Sequence, residues 1–231
     1  MKTYLNGNLA DTAIRIENLF FTYCNWGKLD CVKNIISIQY IDIHKYNELA
    51  FITACSNGYL HIVEYLVNLY KIQYNINTYE MVNIHIHNEA GCRLAGVHGH
   101  THIVEYLMNL HKTNTDYDMI NIHVNDDYVF RHACAYKNLY FIEYLINLYK
   151  TNSKYNIINI NANIEPHLNG FVLACNNSRI QVMKYLIKLY KINPDYSRII
   201  INNMEFVFVC TDECKHYVAS VGCKMQDIIK L

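Results

Sequence analysis

Two groups of residues in this chain have types and spacing suited to chemistry. His98-Gly99-His100-Thr101-His102, with Arg93 and His111 nearby in sequence, gathers imidazoles that could ligate a metal. Cys210, Cys214, His216 and Cys223 combine thiolate and imidazole as a closed tetrahedral zinc site would. Both patterns also have a plainer reading. Alternate residues around a turn point in different directions, so the histidines flanking Gly99 do not converge. The four-residue step from Cys210 to Cys214 shares a helical face, but the paired CxxC knuckles of zinc ribbons are missing. No Gly-rich phosphate loop, Gly-x-Ser-x-Gly elbow or His-Glu-x-x-His helix appears. The expectation is a protein that is no enzyme and holds no metal or cofactor.

The elements that would position any site come from a repeat. Tyr65-Leu66-Val67-Asn68-Leu69-Tyr70-Lys71 returns as Tyr106-Leu107-Met108-Asn109-Leu110-His111-Lys112, as Tyr144-Leu145-Ile146-Asn147-Leu148-Tyr149-Lys150 and as Tyr185-Leu186-Ile187-Lys188-Leu189-Tyr190-Lys191. Anchored on Tyr23, Ala54, Ala95, Ala133 and Ala174, successive copies lie 31, 41, 38 and 41 residues apart. Three residues before each anchor stand Phe20, Phe51, Cys92, Phe130 and Phe171; twelve after it stand Ile35, Leu66, Leu107, Leu145 and Leu186. A column that keeps its register is a packed element, and length changes collect in surface connections.

Within one copy, Ile62, Leu66, Leu69 and Val63, Val67, Tyr70 follow steps of three and four, which makes a helix with a wide buried face. The shorter segment Leu49 to Ser56 precedes it and is ended by Asn57-Gly58, giving a helical hairpin. The alternating segments Ile41-Asp42-Ile43-His44, Asn83-Ile84-His85-Ile86, Ile120-Asn121-Ile122-His123 and Ile158-Asn159-Ile160-Asn161 predict extended chain between hairpins. Such a hairpin cannot bury its apolar face alone, so copies must stack. The expected division is five units over 1–203 (17–44, 45–86, 87–124, 125–162 and 163–203), then a degenerate cap over 204–231 in which Phe206 to Cys210 repeats Phe171 to Cys175.

With 52% hydrophobic residues and only two prolines, the 231 residues can fill a core. Twenty basic residues balance twenty acidic ones, leaving no field that would attract nucleic acid or an anionic membrane. Cys24, Cys55, Cys134 and Cys175 share one column. Stacked neighbours sit roughly 10 Å apart, beyond the reach of about 4.4–6.8 Å that a disulfide spans. Free thiols acting as small hydrophobes follow, and with them a reducing interior. No charged leader opens the chain and no apolar run approaches membrane-spanning length, so an intracellular protein is expected.

Ala95-Gly96-Val97-His98-Gly99-His100-Thr101-His102-Ile103-Val104-Glu105-Tyr106-Leu107 and Ala54-Cys55-Ser56-Asn57-Gly58-Tyr59-Leu60-His61-Ile62-Val63 resemble the second half of the ankyrin repeat. The resemblance covers about residues 17 to 203. The family's Thr-Pro-Leu-His opening is replaced here by Leu49-Ala50-Phe51-Ile52 and its counterparts, and Lys137 and Ser178 stand where the turn glycine belongs. The Asn-, Ile- and Tyr-rich text and the added residues after each second helix resemble the ankyrin proteins of large DNA viruses of amoebae, which implies the host cytoplasm. The fold implied is an all-α, ankyrin-like solenoid of antiparallel helix pairs with short extended or hairpin connections.

For function the resemblance implies a non-enzymatic protein-protein interaction module, a scaffold or adaptor binding a protein partner through its concave surface of finger tips and first helices. The residues placed there are Trp26, Glu48, Asn57, Glu89, His98, Asn125, Asp126, Asp127, Tyr136, Asn176 and Asn177. Charge reversal at Asp126 or Asp127 is expected to weaken partner binding with little effect on melting, as is loss of the Tyr136 ring. A monomer is expected, without nucleic-acid or membrane partners. Three other readings stand beside this one: a self-assembling structural component using Tyr74, Tyr79 and Tyr117 on the inserts, zinc binding by the carboxy-terminal Cys/His group, and an adaptor for ubiquitin ligases.

Overall fold

The computed structural model describes residues 2–72, 79–136, 138–162, 169–196 and 211–220, with the side chains of 2–11, 13 and 190 left aside, and there the chain is all-helical. The α-helices run α1 Lys2–Asn25, α2 Leu29–Ile38, α3 Lys45–Ser56, α4 Leu60–Asn68, α5 Ile86–Val97, α6 Thr101–Thr113, α7 Val124–Ala133, α8 Leu139–Thr151, α9 Gly170–Asn176, α10 Ile180–Ile192 and α11 Asp212–Ser220, with a 3-10 turn Leu69–Lys71 after α4. The helix of the first copy begins well before residue 17.

No strand occurs among the described residues, which corrects the extended connections. In each connection the Asp or Asn side chain folds back onto the backbone N–H two residues on: Asp42 accepts from His44, Asn83 from His85, Asn121 from His123 and Asn159 from Asn161, all at 3.0 Å. This Asx turn supplies locally the hydrogen bond that a sheet would have supplied. The alternation seen in the sequence is real in burial: Ile41, Ile43, Ile84, Ile120, Ile122, Ile158 and Ile160 all point inward.

Gly27 (φ +67°), Gly58 (φ +82°) and Ser178 (φ +56°) end the first helices in the left-handed conformation, each donating its N–H three residues back along its helix. At Gly58 a Cβ would meet the His100 ring at 2.6 Å, so the site needs glycine for space as well as conformation.

Two compact units divide the chain: Met1–Ala95 with His100–Ile120, and Gly96–Gly99 with Asn121–Leu231. In the first, α1 packs on α2 and α3, α3 on α4, and α4 on α6, burying Phe20, Phe51, Ile62, Leu66 and Leu107. In the second, α7 packs on α8 and α9, and α9 on α10, around Phe130, Phe141, Phe171 and Leu186. Each fully buried Phe or Leu side chain contributes about 1.5–3 kcal/mol. Close approach is written into Gly91, where a Cβ would lie 2.5 Å from the Phe51 ring, and into its counterpart Gly170, where it would lie 2.9 Å from Cys134 Sγ.

Cys24, Cys55, Cys92, Cys134, Cys175 and Cys214 are buried free thiols, and Cys31 is partly exposed. Desolvation pushes Cys24 and Cys92 up to about 12 and Cys55 well above the ordinary thiol value.

Candidate interaction surface

Among the described residues one construction occurs three times. After the Asx turn, the chain makes a left-handed helical turn over Tyr46-Asn47-Glu48, again over His87-Asn88-Glu89 and again over Asn125-Asp126-Asp127, with φ between +49° and +61° at all nine residues. Non-glycine residues in this conformation cost about 1–2 kcal/mol each, so something must hold it. The histidine just ahead of the turn does so. His44 Nδ1 lies 2.7 Å from Glu48 Oε1, His85 Nδ1 2.9 Å from Glu89 Oε1, and His123 Nδ1 2.6 Å from Asp127 Oδ1. Since a carboxylate only accepts, each Nδ1 is the donor.

The third residue of every turn is thereby drawn inward. Glu48 Oε1 also accepts the N–H of Asn83 at 2.9 Å, and Asp127 Oδ2 that of Asn159 at 2.8 Å, so each carboxylate reaches into the Asx turn of the following copy. Arginines brace two of the turns from behind. Arg131 donates from Nε to the Asp126 carbonyl (2.8 Å) and from Nη2 to that of Asn125 (3.0 Å); Arg93 does the same to Asn88 (2.7 Å) and His87 (3.1 Å). Arg131 is only 1% exposed, and burial lowers its guanidinium from the ordinary value. Ile52 holds the corresponding place behind the Tyr46 turn, which is instead flanked by the Lys45–Glu17 ion pair and by the Phe21 ring, 5.6 Å from that of Tyr46.

The consequence for the expected site is a correction of three residues. Glu48, Glu89 and Asp127 are 4–5% exposed anchors, not finger tips: an imidazole pairs with each, and a backbone N–H of the following connection donates to Glu48 and to Asp127 as well. Asn125 and Asp126 are exposed as expected. The exposed pairs that sequence reasoning missed are Tyr46-Asn47 and His87-Asn88. Their signal was present in the four-residue step from His44 to Glu48, His85 to Glu89 and His123 to Asp127.

At the opposite ends of the first helices, Trp26 is 59% and Tyr136 39% exposed, and His98 and Asn177 are exposed too. Asn57 is exposed but donates through Nδ2 to Asn25 Oδ1 at 2.9 Å; Asn177 donates to the Leu173 carbonyl at 2.9 Å. Asn176 is half-buried. Tyr79 and Tyr117 are buried, contrary to the expectation of exposed aromatics, with the Tyr117 hydroxyl donating to the Val67 carbonyl at 3.0 Å; Tyr74 lies outside the described residues.

Three of the candidate metal ligands, His100, His102 and His216, lie against backbone carbonyls. His100 Nε2 lies 3.0 Å from the Ser56 carbonyl and His102 Nε2 3.3 Å from that of Gly58. Cys214 is buried, His216 Nδ1 lies 2.7 Å from the Asp212 carbonyl, and Cys210 and Cys223 lie outside the described residues. Among the described residues no three His, Cys, Asp or Glu side chains gather as a metal site, and no helix is long and apolar enough to cross a membrane. Compared with known families and with curated proteins, the chain matches no family model and no curated sequence.

Proposed function

We propose that the chain is an ankyrin-like repeat array that binds a protein partner and performs no chemistry of its own. Each unit offers gripping residues of its own, the first two residues of its left-handed turns (Tyr46-Asn47 and His87-Asn88 in the first unit, Asn125-Asp126 in the second) together with its exposed residues at first-helix ends. One observation carries this reading: three turns share a scaffold of a half-buried histidine paired with a buried carboxylate, while the exposed pair changes from Tyr46-Asn47 to His87-Asn88 to Asn125-Asp126. A fixed frame with variable tips is what a recognition surface built from stacked copies requires. Burial of Tyr79 and Tyr117 takes away two of the aromatics named for the self-assembly reading.

The test is capture from cell lysate with mass spectrometry, comparing the wild-type chain with a Tyr46→Ala, His87→Ala, Asp126→Lys variant. A partner held by the first and lost by the second, at an unchanged melting temperature, is the expected result. Equal capture by both proteins would remove the turns from the binding surface.

A further inference from the structure

The outward face of α10 departs from the rest of the array. At the three corresponding positions the earlier copies read Glu64-Asn68-Lys71, Glu105-Asn109-Lys112 and Glu143-Asn147-Lys150; α10 reads Lys184-Lys188-Lys191. Steps of four and three residues set these ammoniums on one helical face spanning about 10 Å. All three side chains are exposed. The chain as a whole is neutral, so this is a local field and not a reflection of composition.

Beside the stripe, α8 and α10 enclose an open cavity of about 470 Å³ lined by Asn147, Lys150, Tyr185, Lys188, Leu189 and Ile192. Ile192 is 68% exposed at its edge. Two carboxylates also border the cavity: that of Asp195 accepts the Tyr149 hydroxyl at 2.9 Å, and Glu143 is the other. Lys150 and Lys184 sit over the Tyr149 and Tyr217 rings, and among the described residues none of the four lysines is in an ion pair.

We propose that this face docks an acidic protein segment whose carboxylates follow the lysine spacing, with one apolar side chain entering the cavity against Leu189 and Ile192. Charge complementarity selects the acid, and the apolar contact that Leu189 and Ile192 offer within an otherwise polar lining selects a peptide side chain over a phosphodiester backbone. A duplex or an anionic bilayer would call for a wider basic surface than a 10 Å stripe on a neutral chain, about one charge for every 1.7 Å of duplex. The site lies apart from the left-handed turns and does not depend on their role.

Fluorescence anisotropy with the full chain tests it. The probe is a labelled synthetic helical peptide with glutamates at i, i+4 and i+7 and a leucine at i+3, compared with its glutamine counterpart, a short DNA duplex and phosphatidylserine vesicles. The glutamate peptide is expected to bind about tenfold or more tightly than the glutamine peptide, and to weaken as salt is raised. The Lys184→Glu, Lys188→Asn variant restores the pattern of the other helices, so it should fold and melt as wild type yet lose about tenfold or more in affinity. Tyr46→Ala with Asp126→Lys should leave this binding unchanged. Failure of the glutamate peptide to bind, equal binding by the Lys184/Lys188 variant, or tighter lysine-dependent binding of duplex or vesicles would overturn the proposal.

Discussion

Asp126 and Asp127 are neighbours in the chain and opposites in environment: the first is exposed, the second accepts from His123 and from the Asn159 backbone inside the protein. Replacing Asp127 by Ala leaves two donors without an acceptor, and the expected cost is about 1.5–3 kcal/mol. Asp126→Ala should stay within about 0.5 kcal/mol of wild type. Thermal melts of the two variants check this directly, and equal melting temperatures would contradict the buried acceptor. The expectation that charge reversal at Asp127 spares stability therefore no longer holds. Composition could not separate the two residues, because a carboxylate reads as solvated until its donors are known. Those donors are an imidazole four residues back and a peptide N–H 32 residues on, and only the first is visible as a spacing.

At the level of elements, the helices were legible because steps of three and four place Ile62, Leu66 and Leu69 on one face whatever the neighbours do. The connections were misread as extended chain because inward isoleucines alternate with polar residues in an Asx turn as they would in a strand. What periodicity cannot report is the backbone after it, where nine non-glycine residues hold positive φ. Arg131 is the brace of one such turn, and Arg131→Leu keeps bulk while releasing the carbonyls of Asn125 and Asp126. Faster amide exchange at 125–127 is expected in that variant, with the amides of α8 changing less. Uniform acceleration across both stretches would mean that the arginine supports the whole unit rather than its turn.

For the whole molecule, the repeat column foretold that Cys24, Cys55, Cys134 and Cys175 are buried and unbridged, and their burial carries a pH dependence. An unfolded thiol gives up its proton near its ordinary value of 9.0, whereas folded Cys24 and Cys92 keep theirs to about 12. Tyr106 and Tyr185 behave alike, raised by desolvation from 10.0 to about 12. Between those values the unfolded chain binds fewer protons than the folded one, so stability is complete below pH 9 and declines as the pH climbs toward 12. Melting temperatures measured from about pH 8 to pH 11 should fall, and Cys92→Ala should flatten the decline; a constant value over that range would refute the desolvated thiols. The left-handed turns carry a last consequence. Because the third residue of each turn does the anchoring, the two before it can be exchanged without disturbing the interior, and three turns offer six such letters in Tyr46, Asn47, His87, Asn88, Asn125 and Asp126. On the binding role proposed above, inheritance could rewrite recognition one letter at a time while the frame beneath stays as it is.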